Sequence, residues 1–244
     1  MTRLPRAGGA LAAMLLIAAF ANTPPAQAAV SVARFSVTPS TIQAGAHPRL
    51  RVSVVFSEPT GLSALELHLP AGLTAQPRAI PYCSRKSLLA DFCPRNSKVG
   101  SIEAVAVAYG IELPVTREVY NVRPRPTERL RLGVSIVASY TGMGVAAEIP
   151  VTERPGDRGL DMAVAGLPSE VSGIPVRLEE VGFSIKGMGR KRIKKRIRKR
   201  AYLTNPASCT AATSVVDVKL NDVSATTLTA SSSFTPSGCV SSRL

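Results

Sequence analysis

The chain has 244 residues, 45% of them hydrophobic, 19% charged and 5% aromatic, with no Trp. This composition is too apolar for a disordered chain and too evenly mixed for a polytopic membrane protein, and the length allows one large β domain or two ordinary ones. Lys and Arg number 30 against 16 Asp and Glu, a formal net charge of +14, while two histidines and four cysteines leave little material for a metal or nucleophile site.

Residues 1–28 read as a cleaved secretory signal peptide. Arg3 and Arg6 precede an apolar run from Ala10 to Ala21, twelve residues long and too short to span a bilayer comfortably. Asn22, Thr23, Pro24 and Pro25 then break any helix, and Ala26-Gln27-Ala28 offers the small side chains a signal peptidase accepts, which predicts cleavage after Ala28. No Cys follows the run and the arginines are not adjacent, which argues against a lipidated N-terminus and a twin-arginine signal. No later apolar stretch reaches the roughly eighteen residues of a membrane helix, so the mature chain is expected to have no transmembrane segment and to be secreted or cell-surface associated.

Beyond the leader, short runs rich in Val, Ile, Leu and Thr alternate with turn signals. Residues 35–38 alternate and meet Pro39; in 50–56, Leu50, Val52, Val54 and Phe56 share one face, as a half-buried strand requires. Residues 65–69 alternate likewise, and Leu69-Pro70-Ala71-Gly72 reads as a strand followed by a tight turn with Pro second and Gly fourth. Further strands are expected at 102–108, 111–122, 130–139, 144–151, 160–164, 176–185, 215–220 and 225–234. About eleven short strands punctuated by Gly and Pro predict an all-β fold, an antiparallel β-sandwich or jelly-roll-like arrangement. Helix is confined to one or two turns between Ser84 and Asp91. Residues 29–244 read as a single module without internal repeats, with a possible subdivision near 121–127, where X-Pro pairs favour extended backbone.

Export makes the four cysteines candidates for disulfides. Of three possible pairings, Cys83–Cys93 and Cys209–Cys239 close the shortest loops, each contributing about 3 kcal/mol in the chain-entropy model. Zinc is disfavoured, because the cysteines lack paired short spacing and neither His47 nor His68 lies near them.

The outlier is the segment 190–200, in which nine of eleven residues are basic: Arg190, Lys191, Arg192, Lys194, Lys195, Arg196, Arg198, Lys199 and Arg200. Setting these aside with Lys186 and the two leader arginines leaves 18 bases of the 30, against the 16 acids. The charge therefore sits in one loop, 186–200, and its field is local. Ile193 and Ile197, four apart, fit a helix face and a strand face equally. Like-charge repulsion predicts a mobile loop or a frayed hairpin tip, with Gly187 and Gly189 as a flexible entrance. Such a segment suits anionic envelope polymer or lipid headgroups. The absence of interleaved aromatics argues against specific nucleic-acid binding.

Catalytic patterns are missing. There is no nucleophile elbow and no Gly-rich phosphate loop. Glu179 and Glu180 are adjacent and point to opposite faces of a strand, which fails as a catalytic pair. Asp217 and Asp222 flank a strand end and read as turn residues, His47 as a hydrogen-bonded turn residue, and His68 as solvated or paired with Glu66. No catalytic residue, cofactor or metal is expected.

Several phrases together resemble a recurrent, uncharacterised module of large secreted actinobacterial proteins. They are Ala44-Gly45-Ala46-His47-Pro48, Leu69-Pro70-Ala71-Gly72-Leu73, Ile80-Pro81-Tyr82-Cys83, Cys93-Pro94 with Ser97-Lys98-Val99-Gly100, Tyr120-Asn121-Val122-Arg123-Pro124, Leu203-Thr204-Asn205-Pro206-Ala207-Ser208-Cys209 and Gly238-Cys239. The chain departs at Arg49, where an acidic residue is usual, at Val181-Gly182-Phe183 in place of a Trp-Gly pair, and at Arg158 in place of a Tyr. The resemblance implies a secreted, β-rich module that other proteins carry in multiple copies; it does not imply an enzyme. Residues and resemblance together lead to an exported, non-enzymatic envelope or extracellular β-module docking to anionic polymer through its basic loop. The alternatives are a structural or protein-interaction module with an incidental loop and, remotely, an envelope hydrolase.

Overall fold

Successive side chains in a strand face opposite ways, so a strand with every second residue apolar can bury one face and wet the other. The computed structural model of the protein describes residues 29–137, 144–167, 170–171, 173–193, 196–222 and 225–239. The expected signal peptide, the end of the strand expected at 130–139, and Lys194 and Lys195 lie outside the described residues.

In chain order the strands are β1 (Val32–Pro39), β2 (Leu50–Thr60), β3 (Leu62–His68), β4 (Thr74–Ala75), β5 (Lys98–Ala108), β6 (Ile111–Val122), β7 (Leu130–Val137), β8 (Gly144–Glu153), β9 (Leu160–Ala165), β10 (Glu170–Val171), β11 (Ile174–Pro175), β12 (Arg177–Ile185), β13 (Met188–Ile193), β14 (Arg196–Ala201), β15 (Leu203–Thr204), β16 (Ala212–Leu220) and β17 (Thr227–Phe234). Among the described residues, helix is limited to α1 (Arg85–Leu89) and two 3₁₀ turns, Pro77–Ala79 and Arg95–Ser97. Ser84 caps α1, its hydroxyl accepting the Ser87 backbone N–H at 3.0 Å.

Eleven strands form one antiparallel sheet in the order β1-β2-β12-β5-β6-β7-β8-β9-β3-β16-β17. They are the eleven runs that alternation predicts. The remaining six strands make three small ribbons, β10 with β11, β13 with β14 and β15 with β4. The candidate boundary near 121–127 spans the end of β6 and part of the connection to β7, its neighbour in the sheet.

The sheet is rolled until its first and last strands meet, a nearly closed barrel-like shape. An odd number of alternating strands must bring its two edges together parallel. The Val37 N–H of β1 donates to Ser232 Oγ of β17 at 3.1 Å. Just beyond the strand ends, Ala44 N–H donates to the Ser237 carbonyl at 2.8 Å and Ser237 N–H to Ile42 at 2.9 Å, a parallel bridge.

The inner face carries the core: Leu50, Val52, Val54 and Phe56 of β2, Val216 and Val218 of β16, and Leu130, Leu132 and Val134 of β7 are all buried. The two longest connections, 69–97 and 186–211, gather at one end, called here the lower end, where Pro39, Leu50, Ile185, Val122 and Phe234 lie. There Cys83, Leu88 and Val122 form a second small core under α1. The two disulfides, Cys83–Cys93 and Cys209–Cys239, tie the same end.

The segments 44–48, 69–73, 80–83, 93–100, 120–124, 203–209 and 238–239 meet here. Asn121 is fully buried, and its Nδ2 donates to the carbonyls of Pro77 (2.9 Å) and Ile80 (2.8 Å). Asn205 Nδ2 donates to Thr41 (2.8 Å) and Gln43 (3.0 Å), and its N–H to Ala46 (2.8 Å). Each asparagine thus closes a loop distant in sequence. The turn after β3 falls one residue later than expected: Leu73 N–H bonds the Pro70 carbonyl, which puts Gly72, at φ +73°, third in the turn. Only that position needs positive φ in a type II turn.

Candidate functional site

The basic segment is a β-hairpin. β13 pairs with β14 from Met188↔Ala201 to Ile193↔Arg196, which sets Arg190 opposite Lys199 and Lys191 opposite Arg198. Like charges directly opposite disfavour a ladder, so the ribbon's order must come from elsewhere, and it comes from its foot. Ile193 and Ile197 lie on opposing strands rather than on one face of one element.

The expectation of a flexible glycine entrance is overturned. Gly187 and Gly189 are buried, and each marks a close approach of backbone. A Cβ on Gly187 would sit 2.2 Å from the carbonyl oxygens of His47 and Pro48; one on Gly189 would sit 2.3 Å from Ile80 Cγ1 and 2.7 Å from the Ala79 carbonyl oxygen. The Gly187 carbonyl accepts from the Tyr202 N–H (2.7 Å) and the Leu203 N–H (3.1 Å). Tyr202 is fully buried and its hydroxyl donates to Asn121 Oδ1 at 3.2 Å. Burial pushes its phenol far above the ordinary range, so the hydroxyl keeps its proton and its hydrogen bond. The hairpin therefore springs from a clamped base.

Above that base, Arg190, Arg196, Arg198, Lys199 and Arg200 are exposed, and none forms an ion pair with a carboxylate among the described residues. Ile197 is 72% exposed between them. Lys191 and Arg192 are placed by register alone.

Arg190 and Lys199 also face a recess of about 340 Å³ at the foot, shared with His47, Arg49 and Lys186. Among the described residues, no acidic side chain lines it. Lys186 Nζ donates to the Lys98 carbonyl at 3.1 Å. Partial burial, and then the Lys98 and Arg49 charges, hold its ammonium below the usual lysine range. A group whose charged form is disfavoured by neighbouring cations gains when an anion arrives. Arg49 and Lys98 lie 137 and 88 residues from Lys186 in sequence, and only the strand order β1-β2-β12-β5 brings them together.

The other singled-out residues make contacts within the fold. His47 Nδ1 lies 3.2 Å from the Leu203 carbonyl and from Thr204 Oγ1. His68 is not paired with Glu66, which instead accepts from Lys219 at 2.9 Å. It bridges neighbouring strands, with Nδ1 2.8 Å from Asp161 and Nε2 3.4 Å from Asp217, so both ring nitrogens face carboxylates. Asp217 lies within β16 and accepts from Thr229 at 2.6 Å, whereas Asp222 accepts the Thr226 N–H in the turn that follows. Glu180 accepts from Ser53 at 2.8 Å across the sheet.

No family model and no curated protein matches this chain. Among solved structures, the bacterial hydrophobin BslA aligns over 84% of this chain and 97% of its own, at 12% identity and a TM-score of 0.27. A likeness that remote supports no inference about role.

Proposed function

We propose that this chain is an exported, non-enzymatic module of the cell envelope or extracellular space that docks to phosphate- or carboxylate-bearing envelope polymer through its basic hairpin. One observation carries the reading: a rigidly based ribbon presents five described cations to solvent without a carboxylate partner among the described residues. The recess of Arg49, Lys186, Arg190 and Lys199 adds a concave seat for one anionic group. The two disulfides, the leader and the phrases shared with secreted actinobacterial modules support an extracytoplasmic setting. No catalytic step belongs to this reading.

The test is binding of the oxidised protein to purified envelope fractions across a salt series, beside a variant with the nine basic residues of 190–200 replaced by Gln and Ser. Each contacted phosphate contributes about 0.7–0.9 to the log–log slope, so four contacts weaken binding about 50–150-fold between 50 and 200 mM salt. The variant is expected to lose both affinity and slope. Equal slopes in the two proteins retire the hairpin as the docking element.

A further inference from the structure

The rolled sheet does not fill its own interior. A cavity of about 150 Å³ lies inside it, and every described residue that lines it is apolar. Ile102 of β5, Ala147 of β8, Val164 of β9 and Phe183 of β12 face it while remaining only half-buried. Registers explain how the interior stays reachable. β6 pairs with β7 only from Val119↔Val134 to Val122↔Arg131, and β8 with β9 only from Val151↔Met162 to Glu153↔Leu160. Above those rungs, among the described residues, β7 and β8 pair with each other and carry no ladder to the strands on either side. Ala147 and Val164 stand above the last rung between β8 and β9, so two seams in the wall lead to the cavity.

We infer that this cavity is a binding site for a small apolar molecule or the end of an alkyl chain, admitted through the seams beside β7 and β8. Water gains little there, because a buried water needs two to four polar partners and the lining offers none. An apolar guest recovers dispersion contacts that the lining otherwise lacks. The size is sufficient: an apolar cavity of about 150 Å³ lined by Leu, Ile and Phe stays dry and takes up benzene or xenon. The seams open above the last rungs, towards the upper end, whereas the basic hairpin springs from the lower end beyond Ile185, so the entrance lies away from it.

Thermal unfolding of the oxidised protein with benzene and, separately, with octanoate tests the site. At a guest concentration a hundredfold above Kd, Tm is expected to rise by about 5–10 °C. A shift with either guest supports the site, benzene alone assigning it to small rings and octanoate alone to alkyl chains. Ala147→Phe, which fills the cavity from within, is expected to abolish the shift, and the hairpin-neutralised protein is expected to keep it. Xenon-pressurised crystals of the unsubstituted protein give a second measurement that needs no variant, with density expected between Ala147 and Phe183. Absence of both the Tm shift and the xenon density overturns the proposal, as does a shift that survives in a folded Ala147→Phe protein.

Discussion

Gly187→Ala is expected to be far more damaging than a methyl group on a surface ribbon would ordinarily be. The new Cβ would lie 2.2 Å from two backbone oxygens, those of His47 and Pro48. Neither can swing aside like a side chain, so the β13 strand or the 40–49 loop must retreat by about 1 Å to reach ordinary contact. Overpacking of this kind costs about 1–3 kcal/mol. The same movement stretches the two hydrogen bonds that the Gly187 carbonyl accepts from Tyr202 and Leu203, at about 0.5–1.5 kcal/mol each. A loss of about 2–6 kcal/mol is expected, or about 4–24 °C in Tm for a chain of this size. Gly156→Ala is the control, because nothing lies within 4 Å of its Cβ position; it should be neutral or stabilise by up to about 1 kcal/mol. Urea unfolding followed by far-UV circular dichroism, disulfides intact, separates the two. If Gly187→Ala unfolds within about 0.5 kcal/mol of the parent, the glycine is a hinge and the clamped foot is wrong.

Other expectations follow from the same geometry. Tyr202→Phe removes the donor to buried Asn121 Oδ1 and should cost about 1–3 kcal/mol, with a double-mutant cycle against Asn121→Ala showing coupling above about 0.5 kcal/mol. Arg131 is 7% exposed and joins Glu128 and Glu148, so Arg131→Met, which strands Glu128 and leaves Glu148 with Arg85 alone, should cost about 3–5 kcal/mol in chemical denaturation. Arg131 holds the Glu128 carboxyl below its ordinary value of 4.5. Its contribution is therefore complete above that value and is lost as pH falls through the lower folded value, and Glu128→Gln should flatten stability against pH on the acid side. Reducing Cys83–Cys93, which closes ten residues around α1, should cost about 3 kcal/mol and expose 84–92 to limited proteolysis; an unchanged digest would contradict that.

Much of the barrel was legible because its walls obey one rule. Val52 and Val54, or Val216 and Val218, alternate with residues that face water, and a period of two is readable in a single strand. The two-residue strands β4, β10, β11 and β15 are too short to show any period. The hairpin was obscured for a different reason: repulsion between Arg190 and Lys199 argues against the pairing, and the compensating clamp lies in Tyr202, Asn121 and the 40–49 loop. The foot recess could not be read at all, because Arg49, Lys98 and Lys186 become neighbours only through strand order. Gly187 and Gly189 show how local reading misleads, since a glycine that grants freedom and one that permits contact are the same letter.

The odd strand count has a mechanical consequence. β1 begins at the upper end and β17 finishes at the lower, so the backbone enters the barrel at one pole and leaves at the other. Modules strung in tandem would thread pole to pole, and a pull along the string would run along the barrel axis. Tension arriving at Cys239 crosses its disulfide to Cys209, so the covalent load path bypasses β16 and β17. The last two staves of the barrel are thereby held slack inside a covalent loop, and the force bears instead on β1, along the seam where it meets them.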